Sequence, residues 1–327
     1  PSEFDPEKFV PKYDLDTTTD QAETDDTLIS DSDSIDPTEI PTELRSTIEN
    51  LSDSSNVYSR LLATLGNEHL ALDTRLTVLF QLFRGKDPLH VLLCIDAEYD
   101  YRPLLNRVTE LQQPTAEHVN CHRADIDTVV GTGLKSTIGQ PGLISKLDKG
   151  MLSLSEFDQN RELSKHLVEP LETGKLRSTK RGTHDVLDVS FSALAVGTPK
   201  YGSWDEYEPM GEQIPFGPRV ISSFDILIFE TSSDGIGSLK LESITQYDNV
   251  DPVETHVFRA YRVIANDLEP TPTDDTSTVL NVIESRLKTV AESETDISDT
   301  IMSETRVSQW IKILRRAAQA SARIQLR

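Results

Sequence analysis

Pro199-Lys200-Tyr201-Gly202, Pro209-Met210-Gly211-Glu212-Gln213-Ile214 and Ile221-Ser222-Ser223-Phe224-Asp225 belong to one stretch that decides how this chain folds. Prolines and glycines punctuate it, and such residues mark turns. Apolar runs of strand length flank it, Val189 to Gly197 before and Asp225 to Glu230 after. Short apolar runs bounded by turn residues predict strands covered on both faces, the habit of a parallel sheet. Pro209, Gly211 and Phe224 are expected to shape turns and core.

Outward from this stretch the same alternation continues. Leu89 to Ile95 is a further buried strand, and 150–154 a short one. Helical spacing of Leu, Ile and Val covers 42–52 and 56–84, which ends in Val78-Leu79-Phe80-Gln81-Leu82-Phe83. Pro103 opens a short helix, as proline favours the first helical position. Ser155 to Leu171 reads as helix, and beyond residue 240 so do 254–266, 276–292 and 305–326. The last carries apolar residues at Val307, Trp310, Ile311, Leu314, Ala317, Ala318 and Ile324. Strands alternating with helices predict an α/β fold with a mostly parallel sheet.

Charge is the informative part of the composition. The 327 residues hold 55 Asp and Glu against 32 Lys and Arg, a formal net of -23. Residues 1–38 contain 12 acids and two lysines with almost no aliphatic periodicity, which predicts an acidic flexible tail. The remainder is acidic as well. Such a surface repels itself and nucleic acid unless salt shortens the Debye length, to about 3 Å at 1 M. A salty, halophile-like cytoplasm fits this. Cys94 and Cys121 are the two cysteines, too few for a disulfide framework or a four-cysteine zinc module. No apolar run has the length of a membrane span and no signal peptide opens the sequence, so a cytoplasmic protein is expected.

The 199–225 stretch closely resembles the segment of MCM-type (minichromosome maintenance) AAA+ replicative helicases between the sensor 1 loop and the arginine-finger motif. Glu169-Pro170-Leu171-Glu172 and Lys175 resemble that family's lead into the presensor hairpin. Leu82-Phe83, His90-Val91-Leu92-Leu93 and Ala320-Ser321-Ala322-Arg323-Ile324 resemble its first core helix and strand and its last lid helix. The resemblance covers roughly 41–327. It implies an AAA+ P-loop-type core over 39–235 and a small helical lid over 236–327. The resemblance does not extend to the family's N-terminal OB-fold region or C-terminal winged helix, and neither is expected in this sequence.

The family's ATP chemistry maps onto positions that have changed. A phosphate-binding loop needs glycines so that backbone N–H groups close on the phosphates, a lysine for their charge and a hydroxyl for magnesium. Here the strand continues as Cys94-Ile95-Asp96-Ala97-Glu98-Tyr99-Asp100-Tyr101-Arg102-Pro103. Ile95 and Glu98 stand at glycine positions, Tyr101 at the lysine and Arg102 at the hydroxyl, with Asp96 between. Glu98 and Asp100 would face the triphosphate. A carboxylate near a phosphate charge costs on the order of 4 kcal/mol at an effective dielectric near 20. Ser155 replaces the metal-holding aspartate, while Glu156 matches the water-activating glutamate. Thr198 stands for the sensor 1 asparagine, Ser223 for the arginine finger and Gln309 for the sensor 2 arginine, with Arg306 available on a shifted alignment. ATP and magnesium are therefore not expected to bind.

The resemblance also places Lys180 and Arg181 at the presensor hairpin tip and Lys135 on a second channel hairpin, which implies weak DNA contact there, a merely solvated basic tip being the alternative. His118, Cys121 and His122 cluster in sequence but lack a fourth zinc ligand, so no metal is expected. Glu156 with Asp158 reads as a helix start. Lys312, Arg315, Arg316, Arg323 and Arg327 give the last helix a basic side, solvated or docked on an acidic partner. The resulting expectation is a pseudo-ATPase that docks on MCM hexamer subunits or other replication factors and regulates them. The alternatives are a residual ATP-dependent DNA helicase and a non-functional relic copy.

Overall fold

The computed structural model describes residues 40–66, 70–131, 142–180, 183–205, 207–230, 250–293 and 304–326. Three helices come first, α1 (Thr42–Ser52), α2 (Val57–Leu65) and α3 (Leu72–Leu82). The single helical reading of 56–84 is thus broken, and Gly66, at φ +66°, closes α2. Then follow β1 (Val91–Ile95), α4 (Arg102–Gln112), β2 (Ala116–Asn120), α5 (Ile126–Val129) and β3 (Gly150–Ser155). After β3 come α6 (Arg161–Thr173), a hairpin of β4 (Lys175–Lys180) and β5 (Thr183–Asp188), and β6 (Phe191–Gly197). Short α7 (Met210–Gln213) and α8 (Pro218–Ser222) lead to β7 (Ile226–Glu230). The C-terminal helices are α9 (Thr255–Asp267), α10 (Asp274–Ser293) and α11 (Glu304–Ile324).

Five strands form one sheet in the order β2-β3-β6-β1-β7, every pairing parallel. The strand period of two sorts their side chains onto opposite faces. Val91, Leu93 and Ile95 of β1 join Leu194 and Val196 of β6 in a core closed by α1–α4, α9 and α11. Leu92 joins Ala193, Ala195, Leu152 and Leu154 in a second core closed by α6 and by Phe157 and Phe224. Both faces are therefore dry, which is why β1, β3 and β6 read as unbroken apolar runs. β4 and β5 pair antiparallel and stand apart from this sheet.

Two sequence expectations shift. The helix expected from Ser155 starts at Arg161, because the Asn160 side chain accepts the Leu163 N–H at 3.0 Å and caps it there. A short 3-10 turn, Phe157–Gln159, fills the gap. The last helix also does not present all its basic residues to solvent. Arg316 donates to the Pro88 carbonyl at 3.1 Å and lies 3.4 Å from the Asp225 carboxylate. Arg323 is 6% exposed and donates to the Leu268 and Arg84 carbonyls at 3.0 and 2.9 Å. Lys312 and Arg315 remain outside. Tyr58 joins Ser321, and Tyr261 donates to the Ile324 carbonyl, so α11 is tied to α2 and α9. Phe83 packs edge-on against Phe258 and Tyr261, with centroids 5.7 and 5.8 Å apart. Among the described residues no helix is long and apolar enough to cross a membrane. Residues 1–39 lie outside the described part.

Candidate functional site

Parallel sheets place their ligand sites at the carboxyl ends of the strands. In this chain that edge is built from the β1–α4 loop, the end of β3 and the loop after β6. The β1–α4 loop runs from Asp96 to Tyr101. Ile95, the last residue of β1, is fully buried, and Asp96 is 1% exposed, its carboxylate accepting the Trp204 N–H at 2.9 Å. Two of the loop's N–H groups and the first of α4 are spent on oxygen acceptors. Ala97 donates to the Gly202 carbonyl at 2.7 Å and Tyr99 to the Asp96 carbonyl at 3.0 Å. The Arg102 N–H, at the start of α4, donates to the Asp100 carboxylate at 3.2 Å. An anion at a helix start is held by such N–H groups and by the dipole; here a carboxylate of the same chain already occupies that role.

Tyr101 takes the centre of the site. Its side chain is 9% exposed and its hydroxyl accepts the Glu156 N–H at 3.3 Å, bridging the β1–α4 loop to the end of β3. Burial is the main reason its phenol titrates above the ordinary value. Arg102 turns outward and pairs with Asp100 at 2.8 Å, both largely solvated. Glu98 is exposed. The carboxylates of Glu98 and Asp100 therefore lie at the rim, and Asp100 is directed at its own neighbour.

At the end of β3, Ser155 is buried and its hydroxyl lies 3.1 Å from His118 Nε2. Glu156 adopts a left-handed conformation at φ +51°, unusual for a residue with a side chain and of the kind that gathers at functional sites. Asp158 accepts the Thr198 N–H at 3.1 Å and so joins the β3 end to the β6 end. Gly197 makes this approach feasible, since a Cβ there would sit 3.0 Å from Asp158 Oδ1 and 2.7 Å from Phe216. The Glu156–Asp158 pair does open a helical turn, the short Phe157–Gln159 3-10 helix, with Glu156 before it and Asp158 in its first turn; Asp158 also ties two strands. An open cleft of about 750 Å³ lies alongside, bordered by Asp158, Arg161, Glu162, Thr198 and Lys200. Its charges are mixed.

The remaining candidates are dispersed. Ser223 is buried at the end of α8 and its hydroxyl donates to the Val220 carbonyl at 2.7 Å. Gln309 and Arg306 lie on α11, and Lys180 closes β4. Arg181 and Lys135 fall outside the described residues. Cys121 is fully buried, and burial, helped by Asp158 and Glu156, pushes its thiol up to about 12. His118 faces Ser155 and His122 is exposed. Among the described residues no group of three His, Cys, Asp or Glu is placed to hold a metal ion. Sequence reasoning passed over Trp204, which braces the site through Asp96 and through its indole N–H to the Glu230 carbonyl at 2.9 Å.

The comparisons agree with this architecture. The family model of the MCM P-loop domain matches residues 45–235, more than half of the chain. An uncharacterized MCM-type protein of Methanocaldococcus jannaschii is 26% identical over 162 residues, 46% of this chain and 24% of the relative. The DNA replication licensing factor Mcm3 of Drosophila melanogaster is 30% identical over 89 residues, 27% of this chain and 11% of the relative. The Schizosaccharomyces pombe mcm3 licensing factor is 27% identical over 146 residues, 44% of this chain and 15% of the relative. The chain thus spans a quarter or less of the length of these relatives. A matching family model across most of the sheet-bearing region, on a five-stranded parallel α/β core, places the chain in the MCM family, through its P-loop domain.

Proposed function

We propose that this chain is a pseudo-ATPase of the MCM family, a P-loop domain that keeps the fold and acts by interaction with MCM subunits or other replication factors. One observation carries the reading: the Tyr101 ring is buried at the lysine position with its hydroxyl on the Glu156 N–H. Burying such a ring favours the closed arrangement by about 2 kcal/mol, and its hydrogen bond adds on the order of 1 kcal/mol. A triphosphate would have to displace both.

The donor set does not fit ATP and magnesium. A lysine is missing from the loop, three N–H groups that would cradle phosphate face carbonyl or carboxylate oxygens, and the residue at the metal-holding position is a serine engaged with His118. Glu156 retains a carboxylate, but a base without a bound substrate activates nothing. Ser223, turned inward, offers no charge to a neighbouring site, so a copy inserted among active subunits would leave that neighbour without its trans cation. The family's normal assembly into complexes with other MCM subunits makes such subunits the expected partners. DNA contact through Lys180, Arg181 and Lys135 would be secondary and salt-sensitive.

Calorimetric titration with ATP and magnesium in molar KCl tests the nucleotide half of the reading, and no heat of binding is expected. Micromolar binding would overturn it and restore the residual helicase reading. Co-purification of the tagged chain from its native cells tests the other half. Stoichiometric recovery of MCM subunits or a replication factor is expected; recovery of the chain alone would favour a relic.

A further inference from the structure

One face of α9 is polar. Thr255, Arg259, Arg262 and Asn266 recur at helical spacing and share a stripe of the helix. Three of them are fastened. Thr255 Oγ1 accepts from Arg107 at 3.0 Å, Arg259 donates to the Glu110 carbonyl at 3.0 Å, and Asn266 bonds the Gly85 N–H and the Leu82 carbonyl, both at 2.9 Å. Arg262 lies on the turns between these anchors, from the end of α4 on one side to the segment after α3 on the other.

Arg262 is the exception. It is 7% exposed, yet among the described residues its guanidinium makes no hydrogen bond and no ion pair, and its Nε is shut off from solvent. Its neighbours add to the cost. Burial first, and then the Arg84 and Arg259 charges, bring it down to about 9, so it remains a cation at neutral pH. Arg84, itself 6% exposed, is held by carbonyls, those of Lys149, Gly150 and Gln81 at 2.5, 3.0 and 3.3 Å. Glu110 is committed to Arg107 at 2.8 Å and accepts the Thr255 hydroxyl at 3.3 Å.

Carbonyl oxygens satisfy donors but neutralise no charge, and a buried cation without an anion is costly. A guanidinium whose donor fork is free matches an oxyanion, which it takes by two parallel N–H bonds. An open cleft of about 740 Å³ gives access one turn of α9 away, bordered by Gln113, Thr255 and Arg259, with Glu110 and Glu254 also on its rim.

We propose that Arg262, with Arg84 and Arg259 about it, seats one small tetrahedral oxyanion, free inorganic phosphate or its isostere sulfate. Arg84 fixes the place at the amino ends of the strands, since its acceptor Gly150 opens β3, whereas Tyr101 and Glu156 meet at the carboxyl ends. The site is therefore separate from the nucleotide position and does not depend on how that position is read.

Equilibrium dialysis of the full chain against radiolabelled inorganic phosphate tests it, at neutral pH and constant ionic strength in KCl so that screening is equal throughout. A single phosphate per chain is expected for the wild type and for Tyr101→Phe, with binding at least about tenfold weaker in Arg262→Met. Arg262→Met should fold, because it removes a buried charge and keeps the volume. Thermal unfolding gives a second readout. Phosphate stabilises most proteins by exclusion from their surface, without saturating. The wild type should add to that slope a saturable rise on the order of 5 °C at a hundredfold excess over the dissociation constant, and Arg262→Met should keep the slope alone. Phenyl phosphate should compete poorly, because so little of Arg262 is exposed; competition equal to that of the free ion would overturn the choice of inorganic phosphate. A wild-type chain that takes up no phosphate, or an Arg262→Met chain that takes it up equally, would overturn the inference. So would saturable protection by KCl that phosphate does not increase. Uptake lost in Tyr101→Phe but kept in Arg262→Met would put phosphate at the carboxyl ends of the strands, sinking this site and counting against the proposed function as well.

Discussion

The hydroxyl of Tyr101 accepts the backbone N–H of Glu156 at 3.3 Å, so one aromatic side chain closes the gap between the β1–α4 loop and the end of β3. The ring is a packing element. Tyr101→Ala should cost about 3 kcal/mol in guanidinium unfolding, within the range for removing a buried aromatic ring. Tyr101→Phe, which keeps the ring, should cost about 1 kcal/mol. Tyr101→Lys should not gain ATP binding by calorimetry, because the Ala97, Tyr99 and Arg102 N–H groups remain engaged. If the lysine variant bound nucleotide tightly, the loop would be competent and the single side chain the sole obstacle.

His90 sets an acid limit on the fold. It is 5% exposed at the foot of β1, accepts the Ala193 N–H at 3.2 Å, and faces the Arg84 and Arg316 charges. Burial first, then those two cations, lower its pKa to about 3 against an ordinary 6.5, while a hydrogen bond with the Leu171 backbone works weakly the other way. The folded state therefore holds the neutral ring, and the unfolded chain takes up a proton below 6.5. Stability is full above 6.5 and falls as the pH drops from there toward 3. Asp225, raised by burial, opposes this, since its stabilising protonation grows as the pH falls through its folded pKa. His90→Gln should flatten the pH dependence of the unfolding midpoint between 6.5 and 3, and an unchanged slope would show that other groups govern it.

How far the sequence could be read follows the physics of each element. β1, β3 and β6 were legible because strands dry on both faces must be continuously apolar. β2, Ala116-Glu117-His118-Val119-Asn120, was missed: it is one of the two edge strands of the sheet, Glu117 and His118 are exposed, and, unlike β7 at the other edge, it carries no apolar run. The part of the candidate site at the strand ends was legible through the resemblance, which picks out Tyr101, Arg102, Ser155 and Thr198. Its internal closure was not, because the carbonyl that takes the Ala97 N–H belongs to Gly202, far away in sequence. Arg316 and Arg323 read as surface charges for a similar reason, since their acceptors are the carbonyls of Pro88, Arg84 and Leu268.

Arg262 is a charge at a cost. It lies on α9, 7% exposed, and its Nε meets no hydrogen-bond partner among the described residues. Burial, followed by the Arg84 and Arg259 charges, brings it down to about 9. A buried charge without a carboxylate partner is a net expense that an apolar side chain of similar volume removes. Arg262→Met should raise stability by about 1–3 kcal/mol in the same unfolding assay. A loss of stability would mean that the guanidinium is compensated in solution.

Gly85 and Arg323 meet closely where the segment after α3 passes α11. Gly85 sits at φ +76°, and a Cβ there would lie 2.4 Å from the Arg323 guanidinium carbon. That guanidinium is itself fixed by the Arg84 and Leu268 carbonyls, so it cannot simply swing aside. Gly85→Ala carries two penalties, the left-handed backbone and the displaced arginine. Their separation is measurable, because removing the arginine leaves the backbone penalty alone. Gly85→Ala should cost at least about 2 kcal/mol in the wild type and only about 1 kcal/mol in an Arg323→Ala background. Arg323→Ala should itself be destabilising, since the Arg84 and Leu268 carbonyls lose their donor. The difference between the two Gly85→Ala values is the coupling across the junction. A coupling near zero would mean that α11 does not press on Gly85 in solution, and that the inward turn of Arg323 contributes nothing to holding the helix in place.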